Sequence, residues 1–468
     1  MGESGISRRS SGYSLGRSWR VGQFVCCRID NAIVKSLYLL FMLDLQFIRE
    51  NPDIVRAALK NKNREPVDID RILELAEQRK KIAGEISEIN RKRNEAQAAR
   101  NAEAGKQLKD ALKTAEEHYQ TIEKELVALL IKLPNIPSAD TPVGPNESGN
   151  KIIRQWGEKP HFDFDPKAHW DLGKELSIID TEKAAEVSGA RFSYLKGDLV
   201  LLEMALMEFA FKTLTSEDAL KKIISQFGLS VGSKPFVPVG PPILMRSQVM
   251  NRMARLDPIE ERYYFEKDDM VFIGSAEHTL GPLHMDEIIK EEDLPIRYAA
   301  LTPAFRREAG AAGKDTRGIL RLHQFNKLEM ESFTKPEDGL AEQDFMVAIQ
   351  EYLMQQLKLP YQVVAICTGD MGFPDQRQID IETWMAGQDA YRETHTADYI
   401  GGFQARRLNT RLRRADGSVE PVHMNDATAL SQRPLIAILE NYQQADGSIS
   451  IPEVLRQYMG GRERIEKK

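Results

Sequence analysis

Two stretches of the chain repeat their seam positions in alternating steps of three and four. In the first these are Ile72, Leu75, Arg79, Ile82, Ile86, Ile89, Arg93 and Ala96. In the second they are Leu108, Leu112, Ala115, Tyr119, Ile122, Leu126, Leu129 and Leu133. Such alternation keeps side chains on one stripe of a helix and specifies a coiled-coil seam. Polar residues 101–106, Gly105 among them, leave room only for a tight connection. The pattern predicts an antiparallel helical hairpin over about residues 68–133, each helix about 45–50 Å long at about 1.5 Å per residue. Pro134 and Pro137 end the second helix.

The remainder has a different grammar. Residues 134–150 form a Pro/Gly/Asn/Ser-rich linker. Beyond it, AHWDLGKELSIID and EKAAEVSGARFSYLKGDLVLLEMALMEFAFKTL read as a strand or turn region followed by a long buried helix. From about residue 230, short apolar runs read as strands: PILM, MVFIG, RYAALTPAFRRE, GILRLHQFNKLEMESF, YQVVAIC, QIDIETWM, RRLNTRLRR and VEPVHMN. Neighbouring strands with short turns, and helices such as EDGLAEQDFMVAIQEYLMQQL between them, predict an α+β antiparallel sheet flanked by helices. No G-x-G-x-x-G follows a strand and no G-x-x-x-x-G-K-[ST] occurs, so the nucleotide folds built on those loops lose support.

Charge and composition narrow the function classes. The net charge of −6 means that any site for a polyanion is a local basic patch. No apolar run approaches the roughly 20 residues that cross a bilayer. The three cysteines, Cys26, Cys27 and Cys367, form neither a disulfide framework nor a zinc-ligand spacing, which fits a reducing compartment. Residues 1–41 are rich in Ser, Gly and Arg, with only Glu3 and Asp30 as acids. They read as an extension outside the fold, with a transit peptide as the alternative. An ordinary globular pattern begins at Met42.

Two charged regions stand out. On the arm, Arg79 and Arg93 occupy seam positions and Arg91, Lys92, Arg93 and Arg100 lie near the tip. They form either a solvated face balanced by acids or a grip for a phosphate backbone. The second region is TPAFRREAGAAGKDTRGILRLHQFNKLEM, residues 302–330. It reads as a strand, a loop of small residues at 310–313, and a returning strand. Alternation on the return places Leu320, Leu322 and Gln324 on one face and Arg321, His323 and Phe325 on the other. Guanidinium forks suit phosphates, and Phe325 offers a face to a purine. Glu308 and Glu329 suit amino groups. Together they point to ATP beside an amine-bearing substrate, against the alternative of an exposed charged hairpin.

The same block resembles motif 2 of the class II aminoacyl-tRNA synthetases, and of the seryl-tRNA synthetases in particular. Other stretches are similar in the same order: MLDLQFIRENPDIVRAAL, GSAE at 274–277, CTGDMGF at 367–373, FQARRLNTR at 403–411 and PLIAILENYQQADGSISIPEVLRQYMGG at 434–461. The resemblance runs from Met42 to about Gly461. It implies a class II catalytic domain at 151–468, preceded by a tRNA-binding domain at 42–150 whose arm grips the variable arm of tRNA(Ser). It further implies an ATP-dependent ligase that makes seryl-adenylate and charges tRNA(Ser), with tRNA(Sec) a further acceptor, in a cytoplasmic homodimer.

Residue roles follow from the resemblance. Arg306 matches the α-phosphate ligand, beside Arg307 in the same motif, Glu308 the reader of the adenine amino group, and Phe325 the adenine-stacking ring. Glu393, Thr394, His395 and Thr396 match the ATP stretch, with Glu393 and Thr396 at the positions that hold Mg²⁺. Arg433 matches the motif 3 arginine at the γ-phosphate, and Pro241 and Pro242 resemble the dimer-forming motif 1. For serine, the matching residues are Ser275, Ala276 and Glu277, where the family carries T-x-E, together with Glu329. Near motif 3 the family pattern N-G-S-G-L-A-x-G-R is here Asn425-Asp426-Ala427-Thr428-Ala429-Leu430-Ser431-Gln432-Arg433. Ala427 therefore stands where a substrate-reading Ser is usual, and Thr428, one place on, could supply the hydroxyl. Two other readings remain at this point: a paralogue that adenylates a small amino acid for a non-tRNA acceptor, and a coiled-coil binding module on an inactive core.

Overall fold

The Asp68 side chain accepts a hydrogen bond from Arg71 N (2.9 Å) and caps the first arm helix, Ile69–Ala98. Asn101 caps the second, Ala102–Leu130, through Ala104 N (3.0 Å). Each cap satisfies an N–H that the first helical turn leaves without a partner. The computed structural model describes residues 43–309, 315 and 317–467, so the extension and the Gly310–Gly313 loop lie outside the described residues. The connection between the arm helices is shorter than the polar run suggested. It is confined to residues 99–101, and residues 102–106, Gly105 included, are helical because Asn101 starts the second helix.

Heptad positions Ile72, Leu75, Ile82, Leu112, Ile122, Leu126 and Leu133 are buried. All of these but Leu112 join Ile48 and Val55, from α1 (Leu45–Glu50) and α2 (Pro52–Asn61), in one apolar cluster. The linker is pinned to the sheet-bearing part of the chain. Asn135 Nδ2 donates to Pro374 O (2.9 Å) and Ile400 O (2.7 Å), and Ser138 N to Gln376 O (2.7 Å). Buried Lys62 reaches across from α2, its ammonium donating to Gly372 O (3.0 Å), Phe373 O (3.2 Å) and Asp375 O (2.6 Å).

An eight-stranded sheet carries the rest. Its strands are β1 (Lys151–Trp156), β2 (Val237–Pro238), β3 (Ile296–Phe305), β4 (Gln324–Thr334), β5 (Tyr361–Ala365), β6 (Arg377–Met385), β7 (Ala390–Gly401) and β8 (His423–Ser431). The spatial order is β1-β5-β6-β7-β8-β4-β3-β2, antiparallel except for the β2–β3 pair at one edge. Helices Asp198–Thr215, Gly339–Gln356 and Arg433–Asn441 bury their apolar faces against one side of it. The opposite face is polar and holds the site.

Three local expectations are corrected. The return strand begins at Gln324, because Gly318 adopts φ +67° and residues 318–321 turn before pairing starts. AHWDLGKELSIID opens with a helix, His169–Glu175, which crosses Ile179 at Gly173, where a Cβ would come within 2.6 Å of the Ile179 side chain. RRLNTRLRR is a strand only at Arg411–Arg413. Its start belongs to helix Gly402–Leu408, which Asn409 ends in a left-handed conformation (φ 60°).

Candidate active site

β3 and β4 bring the two ends of the charged block together. Phe325 pairs with Ala304, and period-two alternation aligns Phe325, Lys327, Glu329 and Glu331 on the polar face. Arg306 leaves the end of β3. Its Nε donates to Gly274 O (3.1 Å), and its guanidinium lies 5.4 Å from the Phe325 ring centre. Glu308 accepts from Arg321 Nη1 (2.6 Å), while Asp315 stands 3.7 Å from Arg321 and 3.5 Å from Arg392. Arg306, Glu308, Arg321 and Phe325, with Leu320, Leu322, Lys327, Glu393, Thr396, Thr428 and Arg433, line one cleft.

Two bulges aim the far wall. In β7 the pairing steps from Ile381↔His395 to Glu382↔Glu393, so Thr394 is an extra residue. Glu393 and Thr396 consequently both reach the cleft, although strict alternation would part residues three apart. In β8 the pairing steps from Leu328↔Leu430 to Glu329↔Thr428, and Ala429 is the extra residue. Thr428 and Ser431 both line the cleft as a result. Ala427 faces the other way, fully buried in the apolar core between Met330 and Ala397. The hydroxyl missing at position 427 is thus present at the cleft one residue later.

Arg433 bridges to Glu393, its Nη1 lying 3.0 Å from Oε1 and donating to the carbonyl at 2.8 Å. Desolvation would raise the Glu393 carboxyl, but Arg433 and Arg306 outweigh it and hold the group below its ordinary range. An ionised carboxylate beside the Thr396 hydroxyl is a hard-oxygen donor pair that fits Mg²⁺.

Beneath the cleft lies a buried cluster of charged and polar side chains. Glu329 is fully buried; its Oε2 accepts from Ser275 Oγ (2.8 Å) and lies 2.6 Å from Lys327 Nζ, and its Oε1 has no hydrogen-bond partner. Glu277, Glu329 and Asp426 point oxygens within 4.8 Å of one another. Arg255 sits 3.1 Å from Glu277 and 3.6 Å from Asp426. Burial favours a proton on Glu277, yet Arg255 holds it well below the usual range. Burial and the Glu277 charge push Asp426 and Glu331 well up. The cluster therefore sets the depressed Glu277 carboxyl beside acids that burial pushes up, a group of acceptor oxygens suited to an ammonium.

Several expected residues lie away from the cleft. Arg307 is exposed, with its guanidinium 5.4 Å from the Tyr263 ring centre. Ala276 packs against Leu280 and Ala300. His395 turns into the interior, bonded to Thr394 Oγ1 (2.8 Å), and burial pushes its imidazole down to about 3. On the arm, Arg79 is an interhelical strut, 2.5 Å from buried Glu123 and bonded to Tyr119 Oη (3.1 Å). Arg91 and Lys92 pair with Glu88 on their own helix. Arg93 and Arg100 are exposed and flank a groove at the tip with Lys109. Two participants were missed. Lys327 was available from alternation, two residues from both Phe325 and Glu329. Arg255 has no local signal.

Comparison with known proteins agrees with this geometry. Residues 42–137 match the model of the seryl-tRNA synthetase N-terminal domain, and residues 263–442 that of the class II tRNA synthetase core (G, H, P, S and T). Serine–tRNA ligases from Sinorhizobium fredii and Brucella melitensis are 39% and 41% identical to this chain, over 91% of its length and 100% of theirs. The chain belongs to the seryl-tRNA synthetase family. The crystal structure of the seryl-tRNA synthetase from Pyrococcus horikoshii complexed with ATP superposes with a TM-score of 0.80 at 33% identity, covering 91% of this chain and 100% of that one. The cytoplasmic enzyme of Naegleria fowleri in complex with AMP gives 0.79 at 30% identity, covering 91% and 99%. A family match that includes the arm does not favour the carrier-loading or inactive-module readings. Among the described residues no helix is long and apolar enough to cross a membrane.

Proposed function

We propose that the enzyme condenses L-serine with ATP to seryl-adenylate and then transfers the seryl group to the 3′ end of tRNA(Ser). The observation that carries this reading is the junction of the cleft with the buried acidic cluster beneath it. Arg306, Phe325 and Arg433 line the cleft, and Lys327 connects it to the Ser275–Glu329 pair below. ATP lies with its base on Phe325 and its amino group toward Glu308. Arg306 takes the α-phosphate and Arg433 the terminal phosphates. Serine places its ammonium among Glu277 and Glu329 and its hydroxyl near Thr428. Its carboxylate is already the nucleophile, so no side chain need act as a base: the carboxylate oxygen attacks the α-phosphorus and pyrophosphate leaves. Arg306 neutralises the charge that grows there, and positioning supplies much of the remaining acceleration. Mg²⁺, held by Glu393 and Thr396, would neutralise the phosphates.

In this reading residues 42–150 form the tRNA-binding domain and 151–468 the catalytic domain, with Arg93 and Arg100 at the arm tip meeting the tRNA backbone. Two copies pair along the β2 edge, where Pro241 and Pro242 follow exposed Val237 and where Leu301 is also exposed. The cytoplasm is the expected compartment, or an organelle if residues 1–41 direct the chain there. Deleting residues 68–133 tests the division of labour. Serine-dependent ATP–pyrophosphate exchange should persist while charging of tRNA(Ser) is lost; unimpaired charging would refute the arm's role.

A further inference from the structure

The most completely determined buried polar group outside the site is His169. Its ring is fully buried, as is the Glu440 carboxylate beside it. His169 Nδ1 lies 2.7 Å from Glu440 Oε1, and Nε2 lies 3.0 Å from the backbone N of Ile319. Glu440 meets only donors elsewhere: His169 N (3.1 Å) and Gln388 Nε2 (2.9 Å) at Oε1, and Gly387 N (3.0 Å) at Oε2. A carboxylate surrounded in this way accepts a hydrogen bond from Nδ1–H, and Ile319 N–H can only donate. The arrangement therefore requires the neutral imidazole with its hydrogen on Nδ1 and a bare Nε2.

What this imidazole holds is a wall of the nucleotide cleft. Ile319 and Leu320 line the cleft on the side of Arg306, Glu308 and Phe325. Gly318 turns at φ +67° directly against the ring, where a Cβ would fall 2.1 Å from Nε2. The turn thus has no side chain where it meets the imidazole, and its next N–H is spent on the imidazole. His169 lies in the short helix His169–Glu175 and Glu440 in Arg433–Asn441, the helix that Arg433 begins. One hydrogen-bonded chain thus runs from the helix bearing Arg433 to the Ile319 turn, which lines the same cleft.

We propose that His169 is a positioning residue for ATP: oriented by Glu440, it fixes the Gly318–Leu320 turn so that Ile319 and Leu320 form the apolar wall against which the nucleotide packs. The inference rests on the assignment of this cleft to ATP. It concerns the ATP subsite and leaves the Ser275–Glu277–Glu329 cluster untouched, so the two substrates should respond differently.

The test is serine-dependent ATP–pyrophosphate exchange with the full-length wild type, His169→Leu and His169→Gln, supported by imidazole ¹⁵N NMR of the wild type. His169→Leu removes the acceptor, and His169→Gln returns an amide oxygen near the Nε2 position. His169→Leu should raise KM for ATP about tenfold, the scale of one lost buried hydrogen bond, with KM for serine within about twofold of wild type. His169→Gln should recover a substantial part. The wild-type spectrum should show Nδ1 protonated and Nε2 bare near neutral pH. An unchanged KM for ATP in folded His169→Leu, an equal rise in both KM values, or a protonated Nε2 would each overturn the proposal. If His169→Leu does not fold, the NMR spectrum and the KM values of His169→Gln decide. Absence of any exchange in the wild type would instead refute the functional reading itself.

Discussion

Replacing Thr428 by Val and, separately, Ala427 by Ser probes where this enzyme keeps the hydroxyl that reads serine. Thr428 lines the cleft opposite Glu329, whereas Ala427 is fully buried in the core between Met330 and Ala397. Thr428→Val is nearly isosteric and deletes one hydrogen-bonding group. A hydrogen bond to a substrate hydroxyl in a desolvated site is worth about 1–3 kcal/mol, so the ratio of kcat/KM for serine over alanine should fall about 5- to 150-fold. Ala427→Ser restores the family's residue but points its hydroxyl into the core. It should cost about 1–3 kcal/mol of stability through an unpaired buried polar group and leave the ratio unchanged. Pyrophosphate exchange with serine and alanine measures the ratio, and urea unfolding measures stability. The reasoning fails if Thr428→Val leaves discrimination intact, or if Ala427→Ser sharpens it without destabilising the fold.

Arg79→Met should destabilise the arm by ~3 kcal/mol, because buried Glu123 loses its cation, and circular-dichroism melts would detect this. Arg93→Ala with Arg100→Ala should leave the melt unchanged but weaken tRNA(Ser) binding and flatten its salt dependence. Burial, with nearby Arg406, pushes His423 down to about 4 in the fold, against about 6.5 when unfolded. The unfolded chain therefore takes the proton first. The stability tied to this neutral ring is complete above about pH 6.5 and declines as pH falls toward 4, by about 2 kcal/mol at pH 5. His423→Gln should remove that share of the acid limb in urea titrations at pH 7 and 5; an unchanged limb would contradict the assignment.

The arm was legible because a heptad needs only local spacing, and its caps Asp68 and Asn101 are themselves local signals. The contents of the cleft were legible where one strand carries them, as with Phe325 and Glu329, and the alternation that joins those two also offered Lys327, which was passed over. Bulges were not. Nothing around Thr394 or Ala429 announces an extra residue, yet those two bulges decide that Glu393 joins Thr396 and that Thr428 replaces Ala427 at the cleft. Charge alone also misplaced Arg79, because Glu123 lies on the other helix and meets it only when the seam closes. Arg255 and His169 act across long sequence separations, where spacing carries no information.

The central claim is that Arg306 and the buried carboxylates beneath it activate serine with ATP. It is tested most directly by amino-acid-dependent ATP–pyrophosphate exchange with serine, threonine and alanine, in wild type and Arg306→Ala. Serine should drive exchange far better than the other two, and Arg306→Ala should abolish it while the protein melts at the wild-type temperature. Near-normal exchange in folded Arg306→Ala, or no preference for serine, would contradict the account.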